Sequence, residues 1–437
     1  MKSIQARLAG LSFLEFAVWG AYLTSLGSYL ASVGQATHIA WFYAVQGVVS
    51  IFMPALVGIC ADRFIQAQKT LSLCHLIAGV FMIAAGWYAM EAGSNVELAP
   101  LFTLYTISVA FFMPTIGLSN SVAYTALNKA GLDTIKDFPP IRVFGTVGFI
   151  CAMLFVNFTG FQNTYAQLFT SGILSLVMAM YSLTMPTCPT SKSADKVNFV
   201  DAFGLRAFTL FKDKQMLVFF IFSMLLGVSL QITNGFANPF IQSFGQVPEF
   251  SGLWGVKNAN ALISISQMSE TLCILLIPFF LRRYGIKIVM LMAMVAWVLR
   301  FGFFGIGNPG DGVWLFILSM IVYGVAFDFF NVSGSLYVDQ KTDISIRSSA
   351  QGLFMIMTNG IGATVGTLCA QQVINHYVYS QPEGIAQVDG WSTSWLIFAG
   401  YSAVVAVLFL IIFKDKDKKD VETEVNTEAD PDGFISK

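Results

Sequence analysis

The chain alternates long apolar runs with short polar connections. Twelve of these runs have the roughly twenty apolar residues that a helix needs to cross a bilayer. They cover residues 8–31, 39–61, 70–91, 100–127, 141–160, 166–187, 214–243, 259–281, 285–306, 312–338, 348–377 and 391–413. The pattern predicts an all-α polytopic membrane protein with twelve transmembrane helices. Pro139-Pro140 fits either the first turn of the fifth helix or the residues before it, and Pro239 predicts a kink near the end of the seventh.

The composition points to the same class of protein. Of the 437 residues, 56% are hydrophobic and 11% are charged, and the mean hydropathy is +0.68. A soluble protein carries roughly 25% charged residues, so this chain has too few to cover a water-facing surface. The net charge of −1 gives no basic footprint for nucleic acid. The lipid bilayer is therefore the expected environment, and nucleic acid is not an expected partner.

Lysine and arginine residues predict the orientation. With the N-terminus placed in the cytoplasm, all but three of the 24 basic residues fall in connections or termini on that side; the three are Arg142, Lys257 and Arg300. This is a strong positive-inside pattern, and it predicts that both termini are cytoplasmic. The first apolar run contains Glu15 and no small-residue cleavage site follows it, so we do not expect a cleaved signal peptide.

The longest polar connection divides the predicted helices into six and six. It covers residues 188–213, between an N-terminal half at 1–187 and a C-terminal half at 214–413. Short basic turns follow both the second and the eighth span, around Arg63 and Arg282. Two six-helix halves joined by a cytoplasmic linker resemble the major facilitator fold, in which the binding site lies between the halves near the midplane. Residues 414–437 are charged and aperiodic, and they predict a disordered cytoplasmic tail.

Few ionisable side chains lie within the apolar runs. Such a group is costly in hydrocarbon and usually faces a cavity or a partner. Arg142 opens the fifth span and Glu270 lies in the middle of the eighth, and we predict a functional role for both. Asp328, in the tenth span, is either functional or part of a structural ion pair. Glu15, in the inner part of the first span, is either functional or solvated near the cytoplasmic interface.

Neutral polar and aromatic residues share helix faces with these groups. The spacings are i, i+3, i+4 and i+7, which place residues on one stripe of a helix. The sets are Arg142, Thr146 and Phe149; Gln231 and Asn234; Gln267 and Glu270; and Tyr323 and Phe327. Amides can read the polar edge of a heterocycle, and rings can stack on its face. The chemistry predicts a polar, uncharged solute, without separating a nucleoside from a sugar.

No constellation typical of an enzyme or a metal site is present in the sequence. The six cysteines are scattered without a CxxC pair, and neither a phosphate-binding loop nor an HExxH or GxSxG motif occurs. His38, His75 and His376 are far apart, and we expect them to be isolated interface or packing residues. We therefore expect no metal, no cofactor and no enzymatic activity.

The stretches around these faces resemble a known family, the bacterial nucleoside:proton symporters, which are the nucleoside permeases of the major facilitator superfamily. The similarity runs from about residue 5 to 415 and leaves out the tail. The matching stretches are Asp137-Phe138-Pro139-Pro140-Ile141-Arg142 with Gly145-Thr146; Leu230-Gln231-Ile232-Thr233-Asn234; Ile265-Ser266-Gln267-Met268-Ser269-Glu270-Thr271; Ile321-Val322-Tyr323-Gly324 with Ala326-Phe327-Asp328-Phe329-Phe330-Asn331; and Thr358-Asn359-Gly360.

The resemblance implies which residues surround the nucleoside. They are Arg142, Thr146, Phe149, Gln231, Asn234, Gln267, Glu270, Tyr323 and Phe327. It also implicates Asp328 in transport. This chain departs from the family pattern at Glu15, where glutamine is expected. The proton carrier is therefore left open among Glu270, Asp328 and Glu15, with the first two as the leading candidates.

The sequence as a whole predicts a proton-coupled nucleoside importer of a bacterial inner membrane. It is expected to act as a monomer by alternating access, with the nucleoside bound between the halves and the proton as coupling ion. The alternatives are a facilitator for another solute, such as an oligosaccharide symporter or a drug exporter, and a transporter-like sensor that binds a nucleoside without moving it. Preference for purine or pyrimidine nucleosides is left open.

Overall fold

The computed structural model describes residues 3–190, 205–343 and 346–414, and this part of the chain is helical without strands. Nine of its helices are long and apolar enough to cross a membrane. One of them, Ala259–Ile306, contains two spans separated at Gly285, whose φ of 74° ends one helix before the next begins. The shorter apolar helix Ala166–Ser182 and the first segment complete the set. The prediction of twelve membrane-spanning segments is confirmed.

The segments are labelled in chain order. They are α1 (Ser3–Gly20 continued by Leu26–Ser32), α2 (Ile39–Arg63), α3 (Ala67–Ala92), α4 (Leu98–Lys129), α5 (Thr134–Phe158), α6 (Ala166–Ser182), α7 (Lys214–Leu230 continued by Ile232–Ser243), α8 and α9 (259–284 and 286–306), α10 (Val313–Lys341), α11 (Arg347–Met355, Ile356–Gly362, Ala363–Ile374 and Asn375–Tyr379) and α12 (Ile385–Ile412).

The beginning of α5 differs from the prediction. The helix begins at Thr134, so Pro139 and Pro140 lie in its second turn and not in or before its first. The Asp137 carboxylate accepts hydrogen bonds from the Asp133 backbone N–H (3.1 Å) and from the side chain of Gln5 (2.9 Å). These contacts stabilise a turn that precedes the prolines, where free backbone N–H groups need partners.

The interruption of α7 also differs from the prediction. The helix breaks at Gln231, eight residues before Pro239, which lies inside the continuous piece Ile232–Ser243. Proline cannot donate to the carbonyl one turn earlier, which here belongs to Gly235. That carbonyl oxygen faces Gly27 of α1, where a Cβ would lie 2.2 Å away. The proline therefore coincides with a close contact between α7 and α1.

The predicted linker and tail are only partly described. Residues 205–213 include a short 3-10 helix, Leu205–Lys212, directly before α7. Residues 191–204 of the predicted linker lie outside the described part of the chain, and so do residues 415–437, which make up almost all of the predicted tail.

Each half packs mainly on itself. In the first half α1 packs on α5 and α6, and α3 packs on α4 and α6; in the second, α8 and α9 pack on α10 and α12. Glycines allow α1 and α5 to touch backbone to backbone. A Cβ on Gly148 would lie 2.1 Å from the Phe13 carbonyl oxygen, and one on Gly20 would lie 2.4 Å from that of Phe149. This contact fixes the face of α5 that looks toward the other half.

The halves meet along α2 with α11, along α5 with α8, and at the ends of α1 and α7. In the described part of the chain, the hydrogen bonds between the two halves lie near the helix ends on the side of the protein away from the chain termini. We call this group the interhalf closure. Its side chains are Thr24, Ser28, Asn157, Gln162, Asn238, Asn258, Asn260, Thr364 and Gln371. All of them are uncharged amides or hydroxyls.

Candidate functional site

Arg142, Thr146 and Phe149, the predicted site residues of the fifth span, all lie on α5. The Arg142 guanidinium lies over the ring of Phe16 on α1, with its Cζ 3.8 Å from the ring centroid. Gly145 leaves space for this pair, because a Cβ there would lie 2.7 Å from both Arg142 Nη1 and Phe16 Cδ2. Arg142 and Thr146 remain half-buried, so part of each side chain is accessible.

Phe149 lies deeper, at 6% exposed, and contacts Trp19 of α1 edge to face at 6.2 Å. Trp19 Nε1 donates to Gln46 Oε1 on α2 (3.4 Å), and Gln46 Nε2 donates to the Tyr105 hydroxyl on α4 (2.8 Å). These hydrogen bonds fix the position of Trp19, which in turn contacts the ring of Phe149. The sequence analysis did not assign these three supporting residues to the site, because they lie on three different helices and share no spacing pattern.

The amides of the second half flank the break in α7. Asn234 Nδ2 donates to Gln231 Oε1 at 2.5 Å, and both residues are half-buried. Gln267 and Glu270 are also half-buried, one turn apart on α8. The predicted pairs therefore exist, and each presents donors and acceptors at a partly accessible surface.

The predicted residues Tyr323, Phe327 and Asp328 lie on α10. The rings of Tyr323 and Phe327 stack at 5.6 Å with an interplanar angle of 19°. The Tyr323 side chain interacts with that of Gln267 on α8. Asp328 is 5% exposed, and its Oδ2 has no hydrogen-bond partner among the described residues. Asp328 is thus a buried carboxyl group whose second oxygen is unused.

Charges from both halves converge here. The carboxyl groups that interact electrostatically with Arg142 are those of Glu270, Glu15 and Asp328, with the largest effect from Glu270. Glu270 and Asp328 also interact with each other. Arg142 of the first half is therefore within electrostatic range of two carboxyl groups of the second half.

The surroundings of Glu15 and His75 differ from the expectations for these two residues. Both are completely buried, so the alternative that Glu15 is solvated at an interface is wrong, and His75 is not an isolated packing residue. Glu15 Oε2 lies 2.9 Å from His75 Nε2, and its Oε1 accepts from Thr115 (2.7 Å). Ser175 lies 3.0 Å from His75 Nδ1. The four residues come from α1, α3, α4 and α6, which explains why sequence spacing did not connect them.

The described residues contain no group of three or more histidine, cysteine, aspartate or glutamate side chains that could hold a metal ion. The six cysteines, all in the described part, are free thiols. The chemistry available at the site is thus hydrogen bonding, ring stacking, charge pairing and proton binding.

Twelve membrane segments in two halves, with polar and charged residues gathered between them, define a polytopic membrane transporter. The family model described as nucleoside H+ symporter matches residues 1–418, and the chain belongs to this family.

The chain is similar to two curated proteins of Escherichia coli K12 over nearly its whole length. It is 46% identical to the xanthosine permease over 416 residues, covering 94% of this chain and 96% of that protein. It is 44% identical to the nucleoside permease NupG over 423 residues, covering 95% and 97%. A crystal structure of a NupG point variant aligns with a TM-score of 0.88, covering 94% of this chain and all of that one. The prediction of the major facilitator fold in two six-helix halves is confirmed.

Proposed function

We propose that this protein imports nucleosides together with protons by alternating access. The observation that carries the proposal is the convergence of Arg142, Glu270 and Asp328 beside the stacked rings of Tyr323 and Phe327, in a chain of the nucleoside H+ symporter family. The names of the similar proteins, a xanthosine permease and a nucleoside permease, support the same substrate class.

The nucleoside binds between the halves, which we place at residues 1–187 and 214–413. The rings of Phe149, Tyr323 and Phe327 suit the flat face of a base, because stacking on an aromatic side chain does not require one particular base. The amides Gln231, Asn234 and Gln267 suit its polar edge. The full set of substrate-contacting residues in this proposal is Arg142, Thr146, Phe149, Gln231, Asn234, Gln267, Glu270, Tyr323 and Phe327.

The proton binds to the carboxyl pair of Glu270 and Asp328. Both interact with Arg142 of the other half, so protonation changes the attraction across the interface. Glu15 is a weaker candidate, because its carboxylate is already engaged by His75 and Thr115 inside one half. The distribution of basic residues favours cytoplasmic termini. In the proposed orientation the interhalf closure faces the periplasm of a bacterial inner membrane.

Uptake of labelled uridine into cells or proteoliposomes tests the substrate class. Nucleosides should compete, whereas free bases, free ribose and disaccharides should compete poorly, because each fills only part of a site with several buried polar groups. If uracil or adenine competed as well as its nucleoside, the substrate assignment would be wrong. Accumulation against the gradient separates a transporter from a sensor that only binds.

Glu270→Gln tests the proton site and mimics a permanently protonated group. Accumulation driven by a pH gradient should disappear, while counterflow exchange of uridine, which needs no net proton movement, should persist. Asp328→Asn is the matched comparison: as a coupling group it shows the same split, and as a structural group it lowers the amount of folded protein. A normal pH-driven accumulation in Glu270→Gln contradicts the assignment to Glu270.

A further inference from the structure

Arg300 is a buried cation in the second half that the proposed cycle does not use. It lies on α9 and is 2% exposed. Its Nη1 donates hydrogen bonds to the Ser319 carbonyl oxygen on α10 (2.8 Å) and to Ser266 Oγ on α8 (3.3 Å). Among the described residues, no carboxylate forms an ion pair with Arg300. A buried charge without a counter-ion is costly and needs another form of compensation.

That compensation comes from an aromatic ring of the candidate site. The Arg300 Cζ lies 4.3 Å from the ring centroid of Tyr323, within the range of a cation–π contact. A second ring, that of Phe304, lies 5.4 Å away. Desolvation strengthens the attraction between a guanidinium and a ring, and both Arg300 and Tyr323 are buried. The Arg300 guanidinium therefore restrains the position of the Tyr323 ring.

The same ring is held from two further directions. Trp297 of α9 contacts Tyr323 edge to face at 6.0 Å, and Phe327 stacks on it at 5.6 Å. The Tyr323 side chain also interacts with Gln267, a residue of the candidate site. A change at Arg300 therefore alters the position of the Tyr323 ring. Through that ring it reaches Phe327 and Gln267, which are half-buried residues of the candidate site.

We infer that Arg300 is a positioning residue for nucleoside binding. It orients Tyr323, and through it Phe327, so that the ring pair is already arranged to receive the base before the ligand arrives. Preorganised groups bind more tightly because less ordering remains to be done on binding. The inference rests on the proposed function, since it assumes that the ligand carries a base for these rings.

Uridine binding to the purified full-length protein in detergent tests this role. Arg300→Met keeps the length of the side chain and removes its charge; it should raise the Kd about tenfold, equivalent to about 1.4 kcal/mol. Arg300→Lys keeps a cation that can interact with the ring, and its Kd should stay within about threefold of the parent value. Rescue by the conservative variant separates a role of the charge from a role in filling space.

A double-mutant cycle with Tyr323→Leu shows whether Arg300 acts through that ring. In the Tyr323→Leu background, Arg300→Met should change the Kd by less than about twofold, because the group that it orients is already absent. A residue that only supports helix packing would produce the same loss in both backgrounds. If Arg300→Met does not yield folded protein, the cycle is run with Arg300→Gln, which also removes the charge, and an equal loss in both backgrounds overturns the inference.

Arg283→Met provides the matched control. Arg283 is an exposed arginine of the same half, with its Cζ 5.6 Å from the ring of Tyr284 and far along the chain from the site. Its replacement should leave the Kd unchanged. Absence of uridine binding by the parent protein contradicts the proposed function, whereas parent-like binding by Arg300→Met overturns the role of Arg300 alone.

Discussion

The free energy that hydrogen bonds contribute to the interhalf closure can be measured by replacing Gln371. This residue lies on α11, is 2% exposed, and binds the beginning of α2 in the other half. Its Oε1 accepts from the Ala40 backbone N–H (2.8 Å), and its Nε2 donates to the Ala36 carbonyl oxygen (3.1 Å) and to Asn375 Oδ1 (2.8 Å). Ala40 is in the first turn of α2, where a backbone N–H has no partner inside the helix. One side chain thus satisfies two backbone groups across the interface.

Replacement of Gln371 by leucine removes both bonds at similar side-chain volume. A hydrogen bond contributes about 0.5–1.5 kcal/mol net, so the closed arrangement should lose about 1–3 kcal/mol. When the halves separate at this end, water reaches Ala36 and Ala40, so the opened form does not carry the same penalty. The equilibrium between the two forms should therefore shift toward the opened form by about 5- to 150-fold.

Double electron–electron resonance can report this shift. Spin labels at Trp41 and Ile385, in a variant without other cysteines, lie at exposed positions near the closure in opposite halves. Gln371→Leu should move population from the short distance to a longer one. Gln381→Leu is the control, because Gln381 is exposed and its side chain donates to Ser380 within its own half (3.3 Å). Identical distance distributions for Gln371→Leu and the parent would refute the reasoning.

Two further predictions concern the first half and the aromatic rings. Phe149→Leu or Phe327→Leu should weaken nucleoside binding by about 1–3 kcal/mol if that ring stacks on the base; parent-like Kd values for both, measured by calorimetry, would remove the stacking argument. His75→Leu removes one hydrogen-bond partner of the buried Glu15 side chain and should destabilise the protein by about 1–3 kcal/mol. Adding Glu15→Gln should restore part of the lost Tm in thermal unfolding, and a double variant as unstable as His75→Leu would contradict the pairing.

The spans, and the candidate residues that share a helix face, could be predicted because both follow from order along the chain. An apolar run long enough to cross a membrane predicts a transmembrane helix. Spacings of three and four residues place side chains on one face of a helix, whatever that helix packs against. The stacked pair of Tyr323 and Phe327 and the amide pair of Gln231 and Asn234 are examples. The interruption of α7 at Gln231 could not be predicted, because the local signal of the sequence is Pro239, eight residues later.

Contacts between distant helices could not be predicted in the same way. Glu15 and His75 are on α1 and α3, and nothing in a single sequence says that these two polar residues face each other. Arg300 was noted only as a basic residue outside the inner connections, although an arginine inside an apolar run is costly and needs compensation. Its compensating group is a ring, and rings are so frequent in this chain, at 14% of residues, that no one partner stands out.

The distribution of charge over the interface limits how a proton can drive the cycle. The side chains of the interhalf closure, in the described chain, are neutral amides and hydroxyls, so a change of pH does not alter their strength directly. The charged groups that interact across the interface, Arg142 with Glu270 and Asp328, are not part of the closure. If one of these carboxyl groups carries the proton, protonation weakens the attraction between the halves at the point where the nucleoside binds. The proton and the nucleoside then act on the same contact between Arg142 and the carboxyl groups. The interhalf closure adds a free energy that does not depend on pH, and the binding of proton and nucleoside must exceed it before the closure opens.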